Sequence, residues 1–81
     1  MIMREKVIQI LEDVCESDEI RDNADVDLFE AGLLDSLGTV SLLIEIEKVF
    51  GLKLGPTDIT HEQVATVDNL VAFLESKGIR A

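Results

Sequence analysis

The 81-residue sequence offers little sulfur and little aromatic chemistry. Its single cysteine, Cys15, cannot form an intramolecular disulfide, and it is expected at the edge of a buried helix stripe as a small hydrophobe. There is no tryptophan or tyrosine and only three phenylalanines, so aliphatic side chains must fill the core. One histidine, His61, without a second histidine, a cysteine pair or an obvious nearby nucleophile, leaves no metal set; a surface position is expected for it. Positive charge is also scarce. Seven Lys and Arg stand against 17 Asp and Glu, a formal net charge of −10. That balance argues against nucleic acid and anionic membrane surfaces and favours a partner with a basic surface. No apolar run approaches the length of a membrane span, and the opening Met1–Lys6 mixes charges instead of forming a signal peptide, so a cytoplasmic chain without membrane insertion is expected.

What is present suits one small domain, residues 1–81, with 47% hydrophobic content. Residues 2–16 predict a first helix with Met3, Val7, Ile10, Leu11 and Val14 on its apolar stripe. Residues 17–35 form a long acidic connection, eight acids from Glu16 to Asp35 against Arg21 alone. A loop of this length needs anchors, and Val26, Leu28, Phe29, Leu33 and Leu34 supply them, with a turn at Phe29–Gly32. Asp25 and Asp27 begin a calcium-loop spacing, but Glu30 stands where glycine is required and Ser36 where glutamate is, so that reading fails. The charge run reads as a solvated surface able to steer a partner.

Residues 36–50 predict a second helix closed by Gly51, with Ser36 well placed as its N-cap. Gly38 in its first turn costs roughly 1 kcal/mol relative to alanine with no compensation visible in the sequence, which leaves a close approach by a partner or prosthetic group and a tolerated defect as equal readings. Thr39, Leu42, Leu43, Ile46, Val49 and Phe50 follow a core-facing stripe. Leu37, Val40 and Ile44 recur at helical spacing on another face. So small a domain cannot enclose a helix on all sides, and this second stripe is expected at the surface beside Ser36 as a docking patch. In 52–65, Pro56 is expected to open a short helical turn with Thr57, Asp58 and Thr60 as caps, while Ile59 and Val64 anchor the segment. Residues 67–77 predict the last helix, capped by Thr66, carrying Val67, Leu70, Val71 and Leu74 inward and closed by Gly78; Ile79–Ala81 are expected to fray. The periodicity gives a core of Val7, Ile10, Leu11, Val14, Phe29, Leu42, Leu43, Ile46, Phe50, Ile59, Val67, Leu70 and Leu74.

Gly32-Leu33-Leu34-Asp35-Ser36-Leu37 before an amphipathic helix resembles the phosphopantetheine attachment site of acyl and peptidyl carrier proteins. Leu28–Gly32 and Thr66–Leu70 fit the same family, so the resemblance covers nearly the whole chain. The fuller pattern from Phe29 to Glu47 most resembles D-alanyl carrier proteins. The resemblance implies an all-α fold, a small four-helix bundle of three main helices plus one short one. It also implies 4'-phosphopantetheine attached covalently to Ser36, with Asp35 either positioning that serine for the modifying transferase or binding the metal ion in that enzyme. The implied partners are a phosphopantetheinyl transferase, an adenylating D-alanine ligase and a membrane O-acyltransferase pathway of teichoic acid D-alanylation. A free-standing carrier of a fatty-acid, polyketide or nonribosomal peptide pathway stays open. In each case the chain is a monomeric substrate of other enzymes and not a catalyst. Leu37, Val40, Ser41 and Ile44 are the expected partner face, and a helical adaptor that docks there without modification is the competing reading. The helix start suits the chemistry, because its free N–H groups and dipole favour a phosphodiester. Hydrolysis by Ser36 is excluded by the lack of a Gly-x-Ser-x-Gly turn and of any base other than His61.

Overall fold

A computed structural model describes residues 3–23, 25–55 and 57–79. Three α-helices follow in chain order: α1, Met3–Cys15; α2, Ser36–Phe50; and α3, Val67–Ser76. Two short 3-10 turns, Glu19–Asp22 and Glu62–Val64, lie in the connections, and no strand occurs among the described residues. The expected all-helical bundle is present within principal extents of 28 × 28 × 18 Å.

Helix α1 is the hub, packing against α2, α3 and the first 3-10 turn. It buries Met3, Val7, Ile8, Ile10 and Leu11, while Val14 and Cys15 are half-buried against the core. Beyond Cys15 the chain turns through Glu16 in the left-handed region, φ 53°, and the Ser17 N–H donates to the Glu12 carbonyl. Arg21 then ties the first 3-10 turn back to α1, 2.8 Å from Glu5 and 3.1 Å from Glu12. Beneath it Ile20 is completely buried. This anchor was missed in the sequence because Ile20 stands alone among polar residues, with no periodic partner.

The rest of the long connection is held by backbone bonds. The Leu28 N–H donates to the Ala65 carbonyl at 2.6 Å, joining the two connections, and the Leu28 carbonyl accepts from Leu33 and Leu34. Asp27 Oδ1 accepts from the N–H groups of Phe29 and Glu30, setting the turn that ends at Gly32, φ 76°. Leu28 and Leu34 are buried as expected; Phe29 and Leu33 are half-buried.

Helix α2 buries Leu42, Leu43 and Ile46 and ends at Gly51 in the left-handed region, φ 72°. Its stripe is narrower than the spacing suggests. Val49 is 43% exposed, and Thr39 and Phe50 are only half-buried, because helix packing covers one side of α2 and these residues flank it. The expected short helical turn appears at Glu62–Val64 instead of after Pro56, which itself lies outside the described residues. A reciprocal pair fixes it: Gln63 Oε1 accepts from the Thr60 N–H at 2.8 Å, and Thr60 Oγ1 accepts from the Gln63 N–H at 3.3 Å. Helix α3 is capped by Thr66 as expected, its Oγ1 accepting from the Asn69 N–H at 3.0 Å. It buries Phe73 in addition to Val67, Leu70 and Leu74; Val71 is half-buried. Ile79 does not fray: its N–H donates to the Leu74 carbonyl and its side chain packs on the core, while Arg80 and Ala81 lie outside the described residues.

Candidate functional site

Helix α2 begins differently from expectation. Its N-cap is Asp35, extended at φ −132°, ψ −173°, with Oδ1 accepting from the Gly38 N–H at 2.7 Å; Ser36 is the first helical residue. Aspartate and serine are both good caps, and neighbouring candidates leave a one-residue ambiguity that sequence alone does not resolve. The shift matters chemically. Asp35 supplies the cap, which leaves the Ser36 hydroxyl exposed at the helix start and free of that duty. The Asp35 carbonyl accepts from the Thr39 N–H and hydroxyl, both at 2.9 Å. The N–H groups of Ser36 and Leu37 precede the first intrahelical bond, so the positive end of α2 faces outward beside the serine.

Gly38 has a structural reason after all. A Cβ there would sit 2.9 Å from Leu34 Cδ1 and 3.2 Å from Asp35 Oδ1, with Val14 Cγ1 at 3.7 Å. The missing side chain lets Leu34 reach the core beneath the first turn and gives the Asp35 carboxylate room to cap. At the neighbouring end of α1, burial pushes the Cys15 thiol pKa up, and the charge of Asp35 adds to the effect.

Leu37, Val40 and Ile44 are 79%, 50% and 52% exposed, and Ser41 is also exposed. Spacings of three, four and seven residues put them on one face of α2. Lys48 extends that face, 3.6 Å from Glu45.

Behind Ser36 opens a cleft of about 270 Å³ between the first half of α2 and residues 59–64. Val40, Leu43, Ile59 and Val64 give it apolar walls, and Ser36, Thr39, Thr60 and His61 contribute polar groups. Phe29 closes one side, its ring stacked on His61 at 3.8 Å between centroids and 30° between planes. His61 is a surface residue as expected, but its stack on Phe29 and the cleft join residues far apart in the chain and leave no periodic pattern. The available signal was Thr60-His61-Glu62-Gln63, whose Thr-x-x-Gln spacing marks a capping box and fixes where His61 stands.

Residues 5–74 match the family model described as "Phosphopantetheine attachment site". The chain belongs to this carrier family. It is 39% identical to the D-alanyl carrier protein of Abiotrophia defectiva over 75 residues, covering 93% of this chain and 95% of that one. It is 40% identical to the D-alanyl carrier protein of Listeria monocytogenes serotype 4b over 76 residues, 94% and 97% of the two chains. A third such carrier, from Bacillus velezensis, is 39% identical over 71 residues, 88% and 91% of the two chains. The carrier is a non-catalytic domain on which partner enzymes act, and its prosthetic group is phosphopantetheine. The start of α2 fits such a group: an exposed hydroxyl, two free backbone donors and an apolar cleft meet there. Among the described residues no cluster of metal-ligating side chains occurs, and no helix is long and apolar enough to cross a membrane.

Proposed function

We propose that Ser36 bears the phosphopantetheine arm and that the chain, as a single monomeric carrier domain in the cytoplasm, holds a D-alanyl group for teichoic acid D-alanylation. One observation carries the site: in a family defined by phosphopantetheine attachment, Ser36 is an exposed hydroxyl at the first residue of α2, relieved of capping by Asp35. The D-alanyl carrier relatives, matched over nearly their whole length, support the cargo.

When bound, the arm supplies a thiol that holds the cargo as a thioester. The chain's own residues do the rest. Asp35 caps the first turn through the Gly38 N–H and so holds the backbone that carries Ser36. The N–H groups of Ser36 and Leu37, with the helix dipole, favour the negative phosphodiester. Leu37, Val40, Ser41 and Ile44 form the face on which a phosphopantetheinyl transferase and an adenylating ligase dock, before delivery to a membrane O-acyltransferase pathway. The acidic connection steers partners of opposite charge.

The test of cargo is loading of the arm-bearing protein by its cognate ligase with ATP and single amino acids. D-alanine should form a hydroxylamine-labile adduct, and other amino acids should not. Preferential loading of another amino acid, or of an acyl group, would refute the D-alanyl assignment.

A further inference from the structure

We propose that the stack of Phe29 on His61 clips the two connections into one unit, and that His61 is thereby a positioning residue for Ser36. It holds the first turn of α2 in place for the modifying transferase, so the inference rests on attachment at Ser36. The connections meet at Leu28, whose N–H donates to the Ala65 carbonyl, and one residue later at Phe29, whose ring lies 3.8 Å from that of His61. Each ring is fixed in its own segment. On one side Asp27 Oδ1 accepts from the Phe29 and Glu30 N–H groups, and the Ala31 N–H donates to the Asp27 carbonyl. On the other, Thr60 and Gln63 bond reciprocally around His61, and Asn69 Nδ2 donates to the Glu62 carbonyl at 3.0 Å, fastening that segment to α3. From the clip the route to Ser36 is short. The Leu28 carbonyl accepts from the Leu33 and Leu34 N–H groups at 2.9 and 3.1 Å. Leu34 then packs beneath Gly38, in the space its missing Cβ leaves, beside the Asp35 carboxylate that caps α2. Leu28 and Leu34 are buried and fix the inner edge of this turn. Phe29 is half-buried and His61 exposed, so their stack is the contact that holds the outer edge.

The test uses the full chain before any arm is attached, nitrogen-labelled, as wild type, His61→Ala and His61→Phe. In wild type the backbone order parameters of residues 27–38 should match those of the helices, at about 0.85. In His61→Ala they should fall toward about 0.6 while those of α1 stay unchanged. His61→Phe restores a ring that can stack, and should return them to the wild-type level. In loading from coenzyme A by a transferase, His61→Ala should lower kcat by roughly two- to tenfold, the range an aromatic pair supplies. KM should change little, because the exposed face of α2 is untouched. Phe29→Leu should act alike, and adding His61→Ala to it should cost little more, since the stack is already lost. A raised KM at unchanged kcat, or order parameters that keep the wild-type level in His61→Ala, would overturn the positioning role. A wild type that gains no mass would overturn the attachment reading and this role with it. That outcome shows in wild type alone, whereas failure of the clip shows only in the variants, so the two are separable.

Discussion

Gly38→Ala should destabilise the protein, although glycine-to-alanine changes within helices commonly stabilise. The gain in helix propensity is at most about 1 kcal/mol. Against it stand two contacts. The new Cβ would lie 2.9 Å from Leu34 Cδ1, and Leu34 is only 4% exposed, so its methyl has no solvent to retreat into. Overpacking of this kind costs about 1–3 kcal/mol. The same Cβ would stand 3.2 Å from Asp35 Oδ1, crowding a 2.7 Å capping bond worth about 1 kcal/mol. The balance is a loss of about 1–3 kcal/mol, which for a domain of this size lowers Tm by roughly 4–8 °C per kcal/mol. Thermal and urea unfolding followed by far-UV circular dichroism read this directly. A Tm that stays level or rises would mean that Leu34 and Asp35 yield freely, and the close approach would not be the reason for glycine at this position.

Three further outcomes follow from the same geometry. Asp35→Ala should cost about 1 kcal/mol in urea unfolding through loss of the cap, whereas Ser36→Ala should stay within about 0.5 kcal/mol; equal losses would return the capping role to Ser36. Ile44→Arg should weaken loading by the partner ligase while shifting stability by no more than about 0.5 kcal/mol, because Ile44 is 52% exposed; a large fall in Tm would count against the docking face. Glu5 has its pKa lowered chiefly by the hydrogen bond from Arg21, so the pair's contribution to stability is complete above the unfolded carboxylate range, near pH 4.5, and is lost as pH falls through the lower folded value. The stability difference between wild type and Arg21→Gln should therefore shrink below about pH 4.5, and a difference that persists there would refute the assigned ionic role.

The three helices were legible because each carries a periodic apolar stripe, and α2 and α3 also end at a glycine. Gly51 and Gly78 close α2 and α3 in the left-handed region as their positions suggest. Ser36 stood out because a helix start, a flanking apolar patch and a family pattern coincide there. What escaped was non-periodic or long-range. Ile20 is a lone apolar residue whose burial depends on Arg21 bridging back to α1. Gly38 looked like a defect because its justification lies in Leu34 and in the carboxylate of Asp35, neither of which spacing reveals. Val49 keeps the period of the core stripe, yet nothing packs over that part of α2 closely enough to bury it. His61 looked inert because Phe29, 32 positions earlier in the sequence, supplies the ring on which it stacks.

Attachment at Ser36 is the claim on which the rest depends, and peptide-level mass mapping tests it most directly. Wild-type and Ser36→Ala proteins would be incubated with coenzyme A and a phosphopantetheinyl transferase, then digested and sequenced by tandem mass spectrometry, with circular dichroism confirming that both are folded. Wild type should gain one phosphopantetheine, confined to the peptide containing Ser36, and Ser36→Ala should gain none. Modification of the folded Ser36→Ala protein, or of a different residue in wild type, would contradict the account.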